Sequence, residues 1–318
     1  MPKVSVIIPV YNGEKYISQA IESVLSQSFQ DFEIVITDDG STDGTVAAIK
    51  QFEDPRIRLL HLPENRGVAV ATTSCVTAAA GELIAIIDAD NVFLPQKLER
   101  QIDFLSRHPE IGAVFTQARL IDDEGELVEG DDHPYSNLFD EPNRSRHEWL
   151  RHFFFKGNCL CHPSAVIRKE CYERVGYYDP RLSQLLDLDL WIRLCLAYEI
   201  HILSEPLLKF RIRGDDSNLS GQSEEAVARH DWQASRILDR YLGIPNTREL
   251  MSIFPEAVRF GSELDDELIP YYLAMLAFDG RYTPAKVWAL DTLHDLLGTS
   301  MREKLKTVAG FAEIDFIR

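Results

Sequence analysis

The chain is poor in positive charge. Its 318 residues carry 33 Lys and Arg against 51 Asp and Glu, a formal net charge of −18. Nucleic acid wants a basic stripe, so it is excluded as the expected partner. The same balance disfavours simple electrostatic docking on anionic lipid. Long hydrophobic runs are missing too. None approaches the ~18 apolar residues that would span a bilayer, so no transmembrane segment is expected. The start, Met1–Pro9, is too short and too strand-like for a signal peptide. Cysteine is scarce, and five in a chain of this length make no disulfide framework. They read as reduced cytoplasmic thiols. Cys159-x-Cys161-His162 lacks a second ligand pair at zinc spacing and reads as structural. Internal repeats and low-complexity segments are absent.

What remains has the composition of a soluble globular protein. Its length suits one large domain with an appendage, or two domains. The first ~120 residues alternate strand and helix patterns. Val4–Pro9, Glu33–Thr37, Ile57–Leu62, Leu83–Ile87 and Gly112–Gln117 read as strands. Ile17, Ala20, Ile21, Val24 and Leu25 form one apolar helical face. Repeated βαβ units imply a mainly parallel sheet flanked by helices, with ligands beyond the carboxyl ends of the strands. Residues 122–150 are polar and read as a long loop or lid, and the acidic stretch Asp122–Glu129 reads as merely solvated. Strand and helix patterns resume to residue 215, with strands at Ser164–Arg168, Ile200–Leu203 and Leu207–Ile212. From Glu224 onward the pattern is helical. The expected division is therefore an α/β domain over 1–222 and a helical C-terminal appendage over 223–318.

Two acidic clusters end two of the apolar runs: Asp38-Asp39-Gly40-Ser41-Thr42-Asp43 and Asp88-Ala89-Asp90-Asn91. A buried strand that delivers carboxylates to its end does something costly unless they meet a crevice or a metal. Asp-x-Asp offers two hard oxygen ligands, which suits Mg2+ or Mn2+ on phosphates. In so acidic a chain, an anionic substrate needs local positive charge. A cation held by aspartates supplies it, with help from Arg. Asp43 reads as a helix-start residue.

Five strings taken in order resemble the family 2 inverting glycosyltransferases of GT-A fold. They are Val6–Asn12, Asp38–Thr45, Asn65-Arg66-Gly67, Gly81-Glu82 leading to Asp88-Ala89-Asp90, and Asp187–Leu194. The resemblance covers residues 3–215. It implies a Rossmann-like, mainly parallel sheet and transfer of a sugar from a nucleotide-sugar donor to a hydroxyl of a saccharide or glycolipid acceptor, in surface-polysaccharide synthesis. By the resemblance, Pro9, Tyr11 and Asp38 hold the base and ribose. Asp88 meets the ribose or the metal, Asp90 ligates the metal, and Asp187 is the general base. Asp39 and Arg66 are candidate nucleotide contacts. His162 is a candidate acceptor-side residue. Arg211 and Arg213 fall in a segment near the diphosphate. UDP is the donor nucleotide by family frequency, and Mn2+ or Mg2+ the cofactor.

Each residue also has a plainer reading. Asp187 at a helix start suits a cap, with Asp189 competing for either role. Asp39 suits loop amides, and Arg66 a loop salt bridge. Two departures from the family stand out. Asn91 replaces a third acid, and Arg213 replaces the usual His of an Arg-x-His segment. Arg forks onto phosphate directly. A sugar nucleotidyltransferase is one rival, but it should open with a Gly-rich, basic loop where Pro9–Gly13 stands. The other is a non-catalytic nucleotide-sugar-binding protein on a decayed transferase fold. The expected site of action is the cytoplasm, with peripheral attachment to the inner membrane face as a variant. The appendage could serve the acceptor, a homodimer mate or a membrane.

Overall fold

A computed structural model describes residues 1–128, 138–214 and 223–317. Residues 129–137 of the expected lid, and the end of the acidic stretch at Glu129, lie outside the described residues. The chain clusters into two compact units. One comprises Met1–Asn143, Cys159–Leu190 and Ala197–Gln222; the other comprises Arg144–Asn158, Trp191–Leu196 and Ser223–Arg318.

The first unit is built on β1 (Val4–Val10), in which all seven residues are buried. A strand with both faces covered belongs inside a parallel sheet. α1 (Ile17–Leu25) lays Ile17, Ala20, Ile21 and Val24 on the core at helical spacing. β2 (Phe32–Asp38) is again buried throughout. There follow α2 (Thr45–Ile49), β3 (Ile57–His61), α3 (Val68–Ala78) and β4 (Leu83–Ile86). β5 (Val92–Phe93), α4 (Lys97–Arg107) and β6 (Ile111–Ile121) complete the first half of the chain. α5 (Arg146–Lys156) belongs to the second unit. β7 (Val166–Arg168), α6 (Lys169–Val175), α7 (Leu186–Cys195) and β8 (Glu199–Arg211) follow.

The eight strands form one sheet in the order β3-β2-β1-β4-β7-β6-β8-β5. β3, β2, β1 and β4 pair in parallel, as do β6 and β8. β7 and β5 run antiparallel to their neighbours. The chain winds outward from β1 to β3, then crosses back to β4 on the other side of β1. That reversal is the switch point at which open α/β sheets bind ligands. The two strands expected at Ile200–Leu203 and Leu207–Ile212 are one strand, β8, which ends at Arg211. A register shift between Thr116 and Gln117 of β6 absorbs Ser204 and Glu205 of β8. Pro206 sits at this irregularity, where its missing N–H costs little.

The second unit gathers α5 with α8 (Glu224–Ile237), α9 (Thr247–Ile253), α10 (Ile269–Asp279) and α11 (Thr283–Leu297). α5 buries Trp149, Leu150, Phe153 and Phe154. The Phe154 ring meets Phe254 at 4.8 Å and Tyr241 at 5.0 Å. Tyr241 Oη donates to the Leu150 carbonyl at 2.7 Å, so this aromatic core keeps its polar tip paired. No helix among the described residues is long and apolar enough to cross a membrane.

Candidate active site

The loops leaving β1 and β2 are tied to each other. The Asn12 amide donates to Ser41 Oγ, and the Thr42 amide donates to Asn12 Oδ1, both at 2.9 Å. The Gly13 amide donates to Thr45 Oγ1 at 2.8 Å. Asp43 accepts from the amides of Glu14 and Thr45, consistent with the helix-start reading. Gly40 makes the turn possible. Its φ is +72°, and a Cβ there would stand 2.6 Å from the Glu64 carbonyl carbon.

This frame fixes the first cluster. Asp38, the last residue of β2, is fully buried, and His61 Nδ1 lies 2.6 Å from its Oδ2. Asp39 is 2% exposed, and its two oxygens accept from the amides of Arg66 and Gly67 at 2.8 Å each. Asp39 thus holds the Asn65-Arg66-Gly67 loop against the end of β2. Pro9 is buried within β1, whereas Tyr11 is 47% exposed at its exit. The Arg66 side chain is exposed.

The second cluster follows β4. The Asp88 side chain is 36% exposed yet closely ringed by protein atoms. Desolvation first, then repulsion from Asp90, pushes its carboxyl up to about 7, with Arg213 opposing. Asp90 is held by Arg213 through Nη2 at 2.7 Å and Nε at 2.9 Å. Asn91 is 1% exposed. Its Oδ1 accepts from the Arg211 amide at 2.8 Å, and its Nδ2 donates to Asp88 Oδ2 at 3.3 Å. Its oxygen is therefore turned into the protein, where an acid would have added unbalanced charge. A carboxylate whose ionised form is disfavoured by burial and by a second carboxylate two residues away belongs to a donor set that a hard divalent cation would relieve. Asp88 and Asp90 fit such an ion, and Arg213 already supplies Asp90 with a positive neighbour.

Arg211 is a brace. The side chain is 1% exposed. It donates to the carbonyls of Asp90, Asp122 and Asp123 and to Gln19 Oε1. A guanidinium so enclosed is not open to a diphosphate; Arg213, two residues on, is 29% exposed. Tyr16 lies under both, with their guanidinium carbons 4.6 and 5.6 Å from its ring centre. The acidic loop is more than solvated. Asp123 accepts from Tyr16 Oη, from the Gly214 amide and from Lys15. These bonds, that from Tyr16 foremost, hold its carboxyl down at about 2. The sequence carried a sign of this order. Asp122 Oδ1 accepts from the amides of Glu124 and Glu126 while Gly125 adopts φ +89°, a local Asp-to-Gly turn.

Two further groups complete the site. His162 Nε2 is 3.0 Å from Tyr178 Oη, and its Nδ1 is 3.9 Å from Asp88 Oδ1. Burial lowers the pKa of His162, with the charge of Asp187 acting the other way. Tyr178 is pushed well above its ordinary value by burial, by Tyr172, and by the charges of Asp187 and Asp88. Asp187 lies in the first turn of α7 and is 9% exposed. Its Oδ1 accepts from the Leu188 amide at 2.7 Å, so the positive end of the helix supports its charge. Asp189 is fully buried. The structure thus gathers Asp88, His162 and Asp187 into one electrostatic neighbourhood, with Tyr178 among them. Tyr178 was missed in the sequence because a Tyr after a Gly-Tyr turn has no pattern of its own.

Known proteins share the family and the fold of this chain. Residues 5–176, more than half of the chain, match Glycosyl transferase family 2. An uncharacterized glycosyltransferase of Methanocaldococcus jannaschii is 32% identical over 225 residues, covering 69% of this chain and 74% of that protein. The chondroitin synthase of Escherichia coli is 29% identical over 196 residues, which is 61% of this chain but 26% of that protein. The crystal structure of Staphylococcus aureus TarS in complex with UDP-GlcNAc superposes with a TM-score of 0.63 at 18% identity, covering 99% of this chain and 88% of that one. By sequence and by fold, the chain belongs to glycosyl transferase family 2 and is a glycosyltransferase of GT-A architecture.

Proposed function

We propose that the protein moves a sugar, with inversion, from a uridine diphosphate sugar to a hydroxyl of a saccharide or glycolipid acceptor in surface-polysaccharide synthesis. One observation carries the reading: Asp38, Asp88, Asp90 and Asp187 lie at or beyond strand ends or at a helix start, three of them at the carboxyl edge of the parallel strands that flank the switch point. The relatives add support for the substrate classes, since TarS was crystallised with UDP-GlcNAc and one relative is named a chondroitin synthase.

The acceptor oxygen attacks the anomeric carbon as the bond from that carbon to the diphosphate oxygen breaks. The electron pair leaves with the nucleoside diphosphate, and the hydroxyl proton passes to the Asp187 carboxylate. Asp38 and Tyr11 would hold the nucleoside, which keeps the donor in line. Asp88 and Asp90 would hold Mn2+ or Mg2+, and Arg213 would face the diphosphate. When bound, the cation offsets charge growing on the leaving group without proton transfer.

Asp187→Asn tests the assignment. It keeps the shape and the Leu188 amide contact but removes the base. Transfer should fall by at least ~100-fold, while calorimetric affinity for UDP with Mn2+ stays within about twofold. Near wild-type transfer would show that Asp187 is a cap and not the base.

A further inference from the structure

Asp38 ends β2 and His61 ends β3, and the two are paired in parallel register. The Asp38 side chain has no exposed surface, whereas that of His61 is 57% exposed. An ionised carboxylate removed from water needs hydrogen-bond donors. Among the described residues this one has two. The Ser41 amide is distant, at 3.3 Å from one oxygen and 3.4 Å from the other. His61 Nδ1 is the short contact, at 2.6 Å from Oδ2. A carboxylate only accepts, so Nδ1 carries the proton of this bond.

We propose that His61 stands in for the nucleobase, closing Asp38 when no nucleotide is bound and turning out when one binds. The inference rests on the nucleotide reading of Asp38 given above. A base N–H cannot reach an atom without exposed surface unless a covering group moves. The Ser41 amide is fixed on both sides. Ser41 Oγ accepts from the Asn12 amide, the Thr42 amide donates to Asn12 Oδ1, and the Asp39 amide donates to the Val10 carbonyl at 2.8 Å. The His61 ring has no other hydrogen-bond partner among the described residues, and it moves by rotation about two side-chain bonds. The ligand this exchange accepts is a planar heterocycle that presents an N–H donor, as the imide of uracil does. Binding swaps one N–H···carboxylate bond for another. The closed state therefore competes with nucleotide and lowers its apparent affinity.

The test is a calorimetric titration of the full chain with UDP and with GDP in the presence of Mn2+. His61→Ala removes the competing donor and should bind UDP about tenfold tighter than wild type. Its ligand-free form should melt lower, because Asp38 loses its short bond. His61→Gln restores a side-chain N–H and should return UDP affinity to within about threefold of wild type. UDP affinity that is unchanged or weaker in His61→Ala overturns the stand-in role. Should that variant fail to fold, the 15N resonance of His61 Nδ1 in the wild-type chain decides. It should lose its carboxylate hydrogen-bond signature on adding UDP, and an unaltered signal overturns the inference. Asp38→Ala separates the two levels: wild-type UDP affinity in that variant overturns the nucleotide reading of Asp38. A wild-type chain that binds neither nucleotide overturns the nucleotide reading and this inference with it.

Discussion

At the scale of single residues, what a carboxylate can do is set by partners distant in the chain. Asp38, Asp88, Asp90 and Asp187 are visible because each follows an apolar run or opens a helix pattern. Whether a carboxylate is open or committed depends on amides distant in sequence. Asp39 is tied to Arg66 and Gly67, 27 and 28 residues away. Arg211 reaches Gln19 across 192 residues. No local pattern encodes such pairings. The same holds for Lys97, which an amphipathic helix would normally expose. It is fully buried, over the Phe93 ring at 4.1 Å and donating to Gln101 Oε1 at 2.8 Å. Burial lowers its pKa from 10.5 to about 7. Between those values the unfolded chain binds the extra proton and the folded chain does not, so this group makes stability rise with pH across that window. Lys97→Met should lack that component. Urea unfolding of both proteins at pH 7 and about pH 10 should show the wild type gaining roughly 2–4 kcal/mol relative to the variant. Parallel pH dependence in the two proteins would mean that Lys97 does not titrate low.

At the scale of elements, period and punctuation read the first half of the sheet correctly. Strands β1 to β4 are apolar runs bounded by turns, and their burial on both faces explains why they do not alternate. The reading failed where a signal was short. The stretch 122–150 was expected to be loop, yet α5 begins at Arg146. Its start is a capping box: Ser145 Oγ accepts from the Glu148 amide, and Glu148 accepts from the Ser145 amide. The Ser-x-x-Glu pattern was present in the sequence, but the charged residues around it resembled a loop. β5, with two residues, was below any periodic threshold. Ser145→Ala removes one half of the box and should destabilise the protein by about 1 kcal/mol, lowering Tm by ~2–4 °C. Transfer at room temperature should be unchanged, because the cap lies in the second unit. A thermal melt paired with an initial-rate assay checks both parts.

At the scale of the whole molecule, each of the two compact units is assembled from three separate stretches of chain. Arg144–Asn158 and Trp191–Leu196 cluster with the C-terminal helices. α7 is shared, since Asp187 falls in the first unit and Trp191 in the second. Hydrophobic pattern could not assign α5 to a unit, because a buried face does not say what buries it. A chain ending at residue 222 would lack Tyr241, Phe254 and Trp288. Trp149, Leu150, Phe153 and Phe154 would then face solvent, a patch of the kind that drives association. That truncation should bind hydrophobic dye strongly and elute as aggregates in size-exclusion chromatography; a monodisperse product would show that α5 finds other cover. The same interleaving bears on synthesis. Leu150 receives its bond from Tyr241, 91 residues later. At ~5–20 residues per second of elongation, α5 leaves the ribosome roughly 5–18 s before its partner. During that interval the nascent chain carries an uncovered aromatic helix, the kind of surface a chaperone holds until its cover has been made.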